Sequence, residues 1–167
     1  MSATTTAPAR AARTRAALAG LAILLATLDL GLKAWADTHL PGDSVDLGLI
    51  QLQLAYNPGV AFSVGDTLPG WVVIAGTGLI TAGIAVFAWR TAATAGRLLS
   101  IALASILGGA AANVIDRAGD GVVTDYLHTG WWPTFNLADV FIVTGGLAIV
   151  VLSWRRPDHE HGESPAT

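Results

Sequence analysis

Two aspartates, Asp125 in Val122-Val123-Thr124-Asp125-Tyr126-Leu127 and Asp139 in Phe135-Asn136-Leu137-Ala138-Asp139, are the residues of this chain best suited to do chemistry. Paired carboxylates act as general acid and base when their surroundings keep one protonated and the other ionised. At 14 residues apart they cannot share one helical face, so a loop must bring one against the other. Each has a plainer explanation: Asp125 as a loop acid, Asp139 as a carboxylate favoured by the dipole of a helix's first turn. The pair is nonetheless the economical choice. The chain has no Cys, no Ser-Lys or Ser-His pairing of recognisable spacing and no metal-ligand set.

Other polar residues accompany them. Asp29 and Lys33 are spaced i, i+4, with the acid N-terminal to the base, the favourable order for a pair on one helix face. Either they neutralise each other so that an apolar helix can insert, or they also shape the field of a site. Asn113 and Asp116 share a face at i, i+3, after Gly108-Gly109-Ala110-Ala111-Ala112, where small residues let a helix approach its neighbour closely. Arg117 beside them either helps end a helix at the interface or bonds a carbonyl, a carboxylate or a lipid phosphate.

These groups must be positioned by an unusually apolar chain. At 167 residues, 53% hydrophobic and 13% charged, with mean hydropathy +0.57, it is too apolar for an ordinary soluble domain, and the expectation is a polytopic membrane protein. A net charge of −3 without a long basic run gives no support to nucleic acid as a partner. A first span begins at Ala16. Its Ala34-Trp35-Ala36 has the small-x-small pattern of a signal cleavage site, but Asp29 and Lys33 stand where a cleavable signal avoids charge. Trp71 to Trp89, Leu98 to about Ile115 and Leu137 to Trp154 each approach the ~20 residues that cross the hydrocarbon core.

Of nine Lys and Arg residues, seven fall in the N-terminal tail (Arg10, Arg13, Arg15), between the second and third spans (Arg90, Arg97) and after the fourth (Arg155, Arg156). The positive-inside rule then puts both termini in the cytoplasm and the connections 38–70 and 116–136 outside. Residues 1–15 read as a disordered basic tail, 16–156 as one four-helix membrane domain, and 157–167 as a second disordered tail. His159 and His161 in that tail are too few to hold a metal in a solvated end. In the first outer connection Val45 to Leu54 alternates like a half-exposed strand, Asn57-Pro58-Gly59 signals a turn, and Ala61-Phe62-Ser63-Val64 is expected to return as a second strand. In the second, Gly119-Asp120-Gly121 precedes β-branched Val122-Val123-Thr124, a third strand ending at Asp125. The expected fold is an all-α membrane bundle of four transmembrane helices with a small extracytoplasmic β-sheet.

The residues also resemble a known family, the lipoprotein signal peptidases, or signal peptidase II, over nearly the whole chain. The resemblance is carried, in the family's order, by Asp29-x-x-x-Lys33, Asn57-Pro58-Gly59-Val60-Ala61-Phe62-Ser63, Gly108-Gly109-x-x-x-Asn113-x-x-Asp116-Arg117, Val122-x-Asp125-Tyr126 and Phe135-Asn136-x-Ala138-Asp139. The chain departs from the family pattern with Ala112 where Gly usually precedes the motif's Asn, and with Thr124 and Tyr126 around Asp125; none of these removes a chemical group.

The resemblance implies an aspartic endopeptidase of the bacterial inner membrane. It would cut signal peptides from diacylglyceryl-modified prolipoproteins before the lipidated Cys, with Asp125 and Asp139 as the catalytic pair. Asp29, Lys33, Asn57, Gly59, Asn113, Asp116, Arg117, Asn136 and Ala138 would support site or substrate. No metal or organic cofactor is implied, the partners are the lipid-modified substrates and membrane lipid, and a monomer is expected. Two other classes suit an apolar chain with intramembrane charges, a proton-coupled small carrier and a non-catalytic scaffold. Against the first, the charges gather at one face instead of along a path, and no paired interrupted helices occur in corresponding halves. Against the second, so many polar groups at one depth would be a costly liability in a scaffold.

Overall fold

The computed structural model describes residues 6–59 and 68–154. The expected strand Ala61-Phe62-Ser63-Val64 and the pair His159 and His161 lie outside those residues. Four helices, α1 (Thr6–His39), α2 (Gly70–Thr91), α3 (Arg97–Asp120) and α4 (Leu137–Trp154), are long and apolar enough to cross a membrane. The last has the bounds read from the sequence.

Along α1 the buried positions Leu18, Ala22, Ala26, Asp29, Lys33 and Ala36, continued by Leu40 just past its end, recur every three or four residues, a single stripe facing the bundle. Helix α3 is the hub and packs against each of the other three. Two adjacent glycines make this possible. A Cβ on Gly108 would come within 2.7 Å of the Ala22 carbonyl oxygen of α1, and one on Gly109 would overlap the Ala138 carbonyl oxygen of α4. Ala112, standing where the family pattern has Gly, fits between Ala26 and Ala138 and is fully buried. Away from this seam Ile23, Leu24, Ile80, Phe87, Val143 and Leu147 are exposed, as lipid-facing positions are. Trp71 and Trp131 at one end and Trp89 and Trp154 at the other are exposed as well, as in aromatic belts.

Three short strands, β1 (Ser44–Asp46), β2 (Gln51–Asn57) and β3 (Val123–His128), form an antiparallel sheet in the order β1-β2-β3. It covers one end of the bundle through Leu52, Leu54 and Tyr126, which pack on Ala36 and Leu40. Helix α3 meets β3 through a left-handed Gly121, φ 92°, whose N–H bonds the Arg117 carbonyl at 2.8 Å. The third strand thus joins the sheet and carries Asp125 as expected, but it runs on to His128 instead of ending there, so Asp125 lies in mid-strand, paired with Ala55.

Three local expectations are corrected. Val45 to Leu54 is not one strand but a hairpin: Gly48 adopts φ 93°, its N–H bonds Asp46 Oδ1 at 2.7 Å, and the Leu47 N–H bonds the Ile50 carbonyl at 3.0 Å. Residues 6–15, expected as a disordered tail, are helical from Thr6 onward. Alanine is the best helix former, and Pro8 lies in the first turn, where it is tolerated. The third span runs to Asp120 instead of about Ile115, so Asp116 and Arg117 lie within the helix and do not end it. Their side chains find partners inside the protein, as described next.

Candidate active site

Polar groups of α1, β2, α3, β3 and the start of α4 converge beneath the sheet. Lys33 is 1% exposed, and its ammonium meets Asp29 Oδ2 and Asp116 Oδ2 at 3.1 Å each and donates to Asn113 Oδ1 at 2.6 Å. Three oxygens from three residues thus surround the ammonium, one as a hydrogen-bond acceptor and two as ion-pair partners. The i, i+4 pair read in α1 is real, and it is also the anchor by which α1 grips α3.

Asp29 does a second thing. Its Oδ1 accepts the Ala138 backbone N–H at 2.9 Å, placing a carboxylate from α1 on the first turn of α4, where exposed amides and the helix dipole favour negative charge. The remaining amides of that turn are also satisfied. The Leu137 N–H bonds the Tyr126 hydroxyl at 3.2 Å. The Asp139 N–H bonds Asn136 Oδ1 at 2.9 Å, while the Asn136 N–H bonds Asp139 Oδ2 at 3.3 Å. That reciprocal arrangement is a capping box built from Asn and Asp, and it fixes the rotamer of Asp139.

Two carboxamides bridge the two acids. Asn136 Nδ2 donates to Asp125 Oδ1 at 2.7 Å and to Asn113 Oδ1 at 3.2 Å, and Asn113 Nδ2 donates to Asp139 Oδ1 at 2.9 Å. Asp125 is 3% exposed. Burial, then the nearby charge of Asp139, push its carboxyl up to about 7, against hydrogen bonding from Asn136, the charge of Lys33 and hydrogen bonding from Asn57. Asp139, Asn113 and Asn57 are only half-buried, so the pair is reached from the surface.

The supporting residues lie around this core. Asp116 Oδ2 accepts the Thr124 N–H at 2.8 Å, tying α3 to the residue before Asp125. Arg117 is buried and its guanidinium donates to the carbonyls of Asn57, at 3.3 Å, and Gly59. Of the partners open to it from sequence, the structure selects backbone carbonyls. Asn57 Oδ1 accepts the Gly59 N–H at 3.0 Å, the turn read from Asn57-Pro58-Gly59. Every sequence-predicted site residue therefore joins this one assembly. Sequence reasoning did not assign a site role to the Tyr126 hydroxyl, or to Asp37, which accepts the Tyr56 hydroxyl at 3.2 Å and the Thr124 hydroxyl at 3.5 Å. Only adjacency to Asp125 signals the first, and no local pattern signals the second.

Fold and geometry define a multi-pass membrane protein with two acids bridged by carboxamides at one end of its bundle. The family described as signal peptidase (SPase) II matches residues 21–155. The lipoprotein signal peptidase of Syntrophomonas wolfei is 38% identical over 138 residues, covering 80% of this chain and 89% of that protein. That of Ralstonia nicotianae is 39% identical over 144 residues, covering 82% and 83%. The chain belongs to the signal peptidase II family. Two solved bacterial membrane enzyme structures share the fold: one with TM-score 0.73 and 21% identity, covering 90% of this chain and 95% of its own, the other with TM-score 0.71 and 23% identity, covering 84% and 94%.

Proposed function

We propose that this peptidase is an aspartic endopeptidase with Asp125 and Asp139 as its dyad, removing signal peptides from diacylglyceryl-modified prolipoproteins by cutting before the lipidated Cys. The observation that carries the reading is the Asn136–Asn113 bridge, because it ties both carboxylates to one point while leaving the second oxygen of Asp125 free of its donors. Like charges held close cannot both ionise cheaply, so one acid keeps a proton at neutral pH. The raised carboxyl of Asp125, pushed up by burial and by the charge of Asp139, supports placing that proton there. Asp139, closer to the surface, takes a proton from water as the water oxygen attacks the scissile carbonyl carbon. Asp125 gives its proton to the carbonyl oxygen. Collapse of the tetrahedral intermediate breaks the C–N bond, a proton passes to the leaving amine, and the dyad recovers its single proton.

Asn57, Gly59, Asn113, Asp116, Arg117, Asn136 and Ala138 hold dyad and substrate; Asp29 and Lys33 lock the helices beneath them. The spread of basic residues supports an orientation in the bacterial inner membrane with both termini cytoplasmic and the site near the outer face, where substrate acyl chains stay in lipid. Among the described residues, the acids gather at the sheet end and line no path across the bundle, which gives the carrier reading no footing.

The test is an in vitro assay with purified protein and matched lipidated and unlipidated precursors. Cleavage of the lipidated precursor alone is expected. Equal cleavage of both would overturn the substrate class, and cleavage of neither by folded protein would overturn the peptidase assignment.

A further inference from the structure

Tyr126 follows Asp125 in β3 and takes no part in the proton transfers above. It is 3% exposed, and its ring packs with Ala36 and Leu40 under the sheet. Both its main chain and its side chain reach the segment that leads into α4. The Tyr126 N–H donates to the Phe135 carbonyl at 3.0 Å. Its hydroxyl accepts the Leu137 N–H at 3.2 Å and donates to Asp29 Oδ1 at 3.4 Å, the same oxygen that accepts the Ala138 N–H at 2.9 Å.

These contacts differ in kind from the Asn136–Asp139 capping box. The box joins two residues of one helix end and would travel with that end wherever it moved. The Tyr126 hydroxyl belongs to another element and, beside the Leu127–Phe135 bridge and the Asn136–Asp125 bond, is the contact from β3 to the first helical amide of α4. Among the described residues the Leu137 amide has no other acceptor, and a buried amide without one is costly enough to enforce the docked position.

We propose that Tyr126 is a positioning residue that sets the separation of the two acids, holding Asp125 through the chain and Asp139 through the first amide of α4, with Asp29 locking the hydroxyl. This rests on the dyad reading. It assigns to the hydroxyl a role distinct from the packing role of the ring: the ring stabilises the sheet on α1, and the hydroxyl sets the catalytic distance.

Tyr126→Phe keeps the ring and removes only the oxygen. With lipidated precursor, kcat is expected to fall about 10- to 100-fold, the range for small misplacements of catalytic groups, with KM within about twofold. As the acids separate their repulsion weakens, so the alkaline limb of the kcat–pH profile is expected to move to lower pH. Leu137→Pro provides the second arm. Proline is tolerated at the first helical position and lacks the N–H that the hydroxyl accepts. In its background Tyr126→Phe is expected to have at most a third of its effect on kcat.

An unchanged kcat and pH profile in Tyr126→Phe would overturn the inference, as would a kcat loss with an unmoved profile or one undiminished in the Leu137→Pro background. Asp125→Asn is run alongside. Processing by that variant would remove the dyad itself, a different failure from that of Tyr126.

Discussion

The two ends of this bundle treat charge in opposite ways. At the sheet end Asp29, Lys33, Arg117 and Asp125 are almost wholly buried, and all four find fixed partners. At the other end Arg10, Arg13, Arg90 and Arg97 are exposed, and Arg15 lies across the Trp89 ring at 5.2 Å and bonds its carbonyl at 3.2 Å. Exposed arginines of this kind need little from the fold and serve by being where they are. Buried charges cost several kcal/mol each to desolvate and are kept only with excellent geometry. The expensive end is therefore where we place the function.

The sharpest way to break that contrast is at the dyad. Asp125→Asn or Asp139→Asn is expected to insert and fold yet to abolish cleavage of lipidated precursor; normal processing by either purified variant would refute the pairing. Next comes Lys33→Met, which strands Asp29 and Asp116 without their cation. A loss of about 3–5 kcal/mol is expected, read as a collapse of thermal stability in detergent. Gly109→Val drives a side chain into the Ala138 carbonyl; about 1–3 kcal/mol of stability should go, with activity falling because Asp139 is the next residue.

The pH dependence follows from Asp125. Its carboxyl, up at about 7, holds a proton more tightly in the folded than in the unfolded chain, so stability should decline as pH rises from the ordinary carboxylate range to about 7. Above that value the dyad loses its shared proton, and kcat should fall about tenfold per pH unit; a flat profile between pH 7 and 9 would count against it. The smallest effect belongs to the other end. Arg13→Ala should leave cleavage unchanged and shift stability by less than about 0.5 kcal/mol.

How much of this could be read from residues alone depends on the range of the interaction. Helix α4, the i, i+4 pair and the strand bearing Asp125 follow from local apolar runs, helical spacing and turn residues, and all are present. The hairpin at Gly48 was hidden because Leu47, Leu49 and Ile50 continue an alternating apolar pattern through the turn. The helicity of residues 6–15 was obscured by polar composition, although alanine propensity favoured it. Nothing within a few residues of Asp29 tells that it accepts an amide 109 positions later, or that Arg117 serves two carbonyls near position 58. Such contacts depend on how helices cross; the small residues from Gly108 to Ala112 signal that α3 approaches a neighbour closely, but not which neighbour or at what angle.

The Asp29–Lys33 pair has a further consequence during biosynthesis. Lys33 leaves the ribosome well before its partner Asn113, 80 residues on. Through the interval in which α1 already lies in lipid and α3 has yet to be made, Asp29 and Asp37 are the carboxylates four residues away on the same helix, and Asp29 is the one Lys33 pairs with in the folded protein. The pair is a temporary counterion arrangement that keeps α1 insertable until α3 arrives to share the charge.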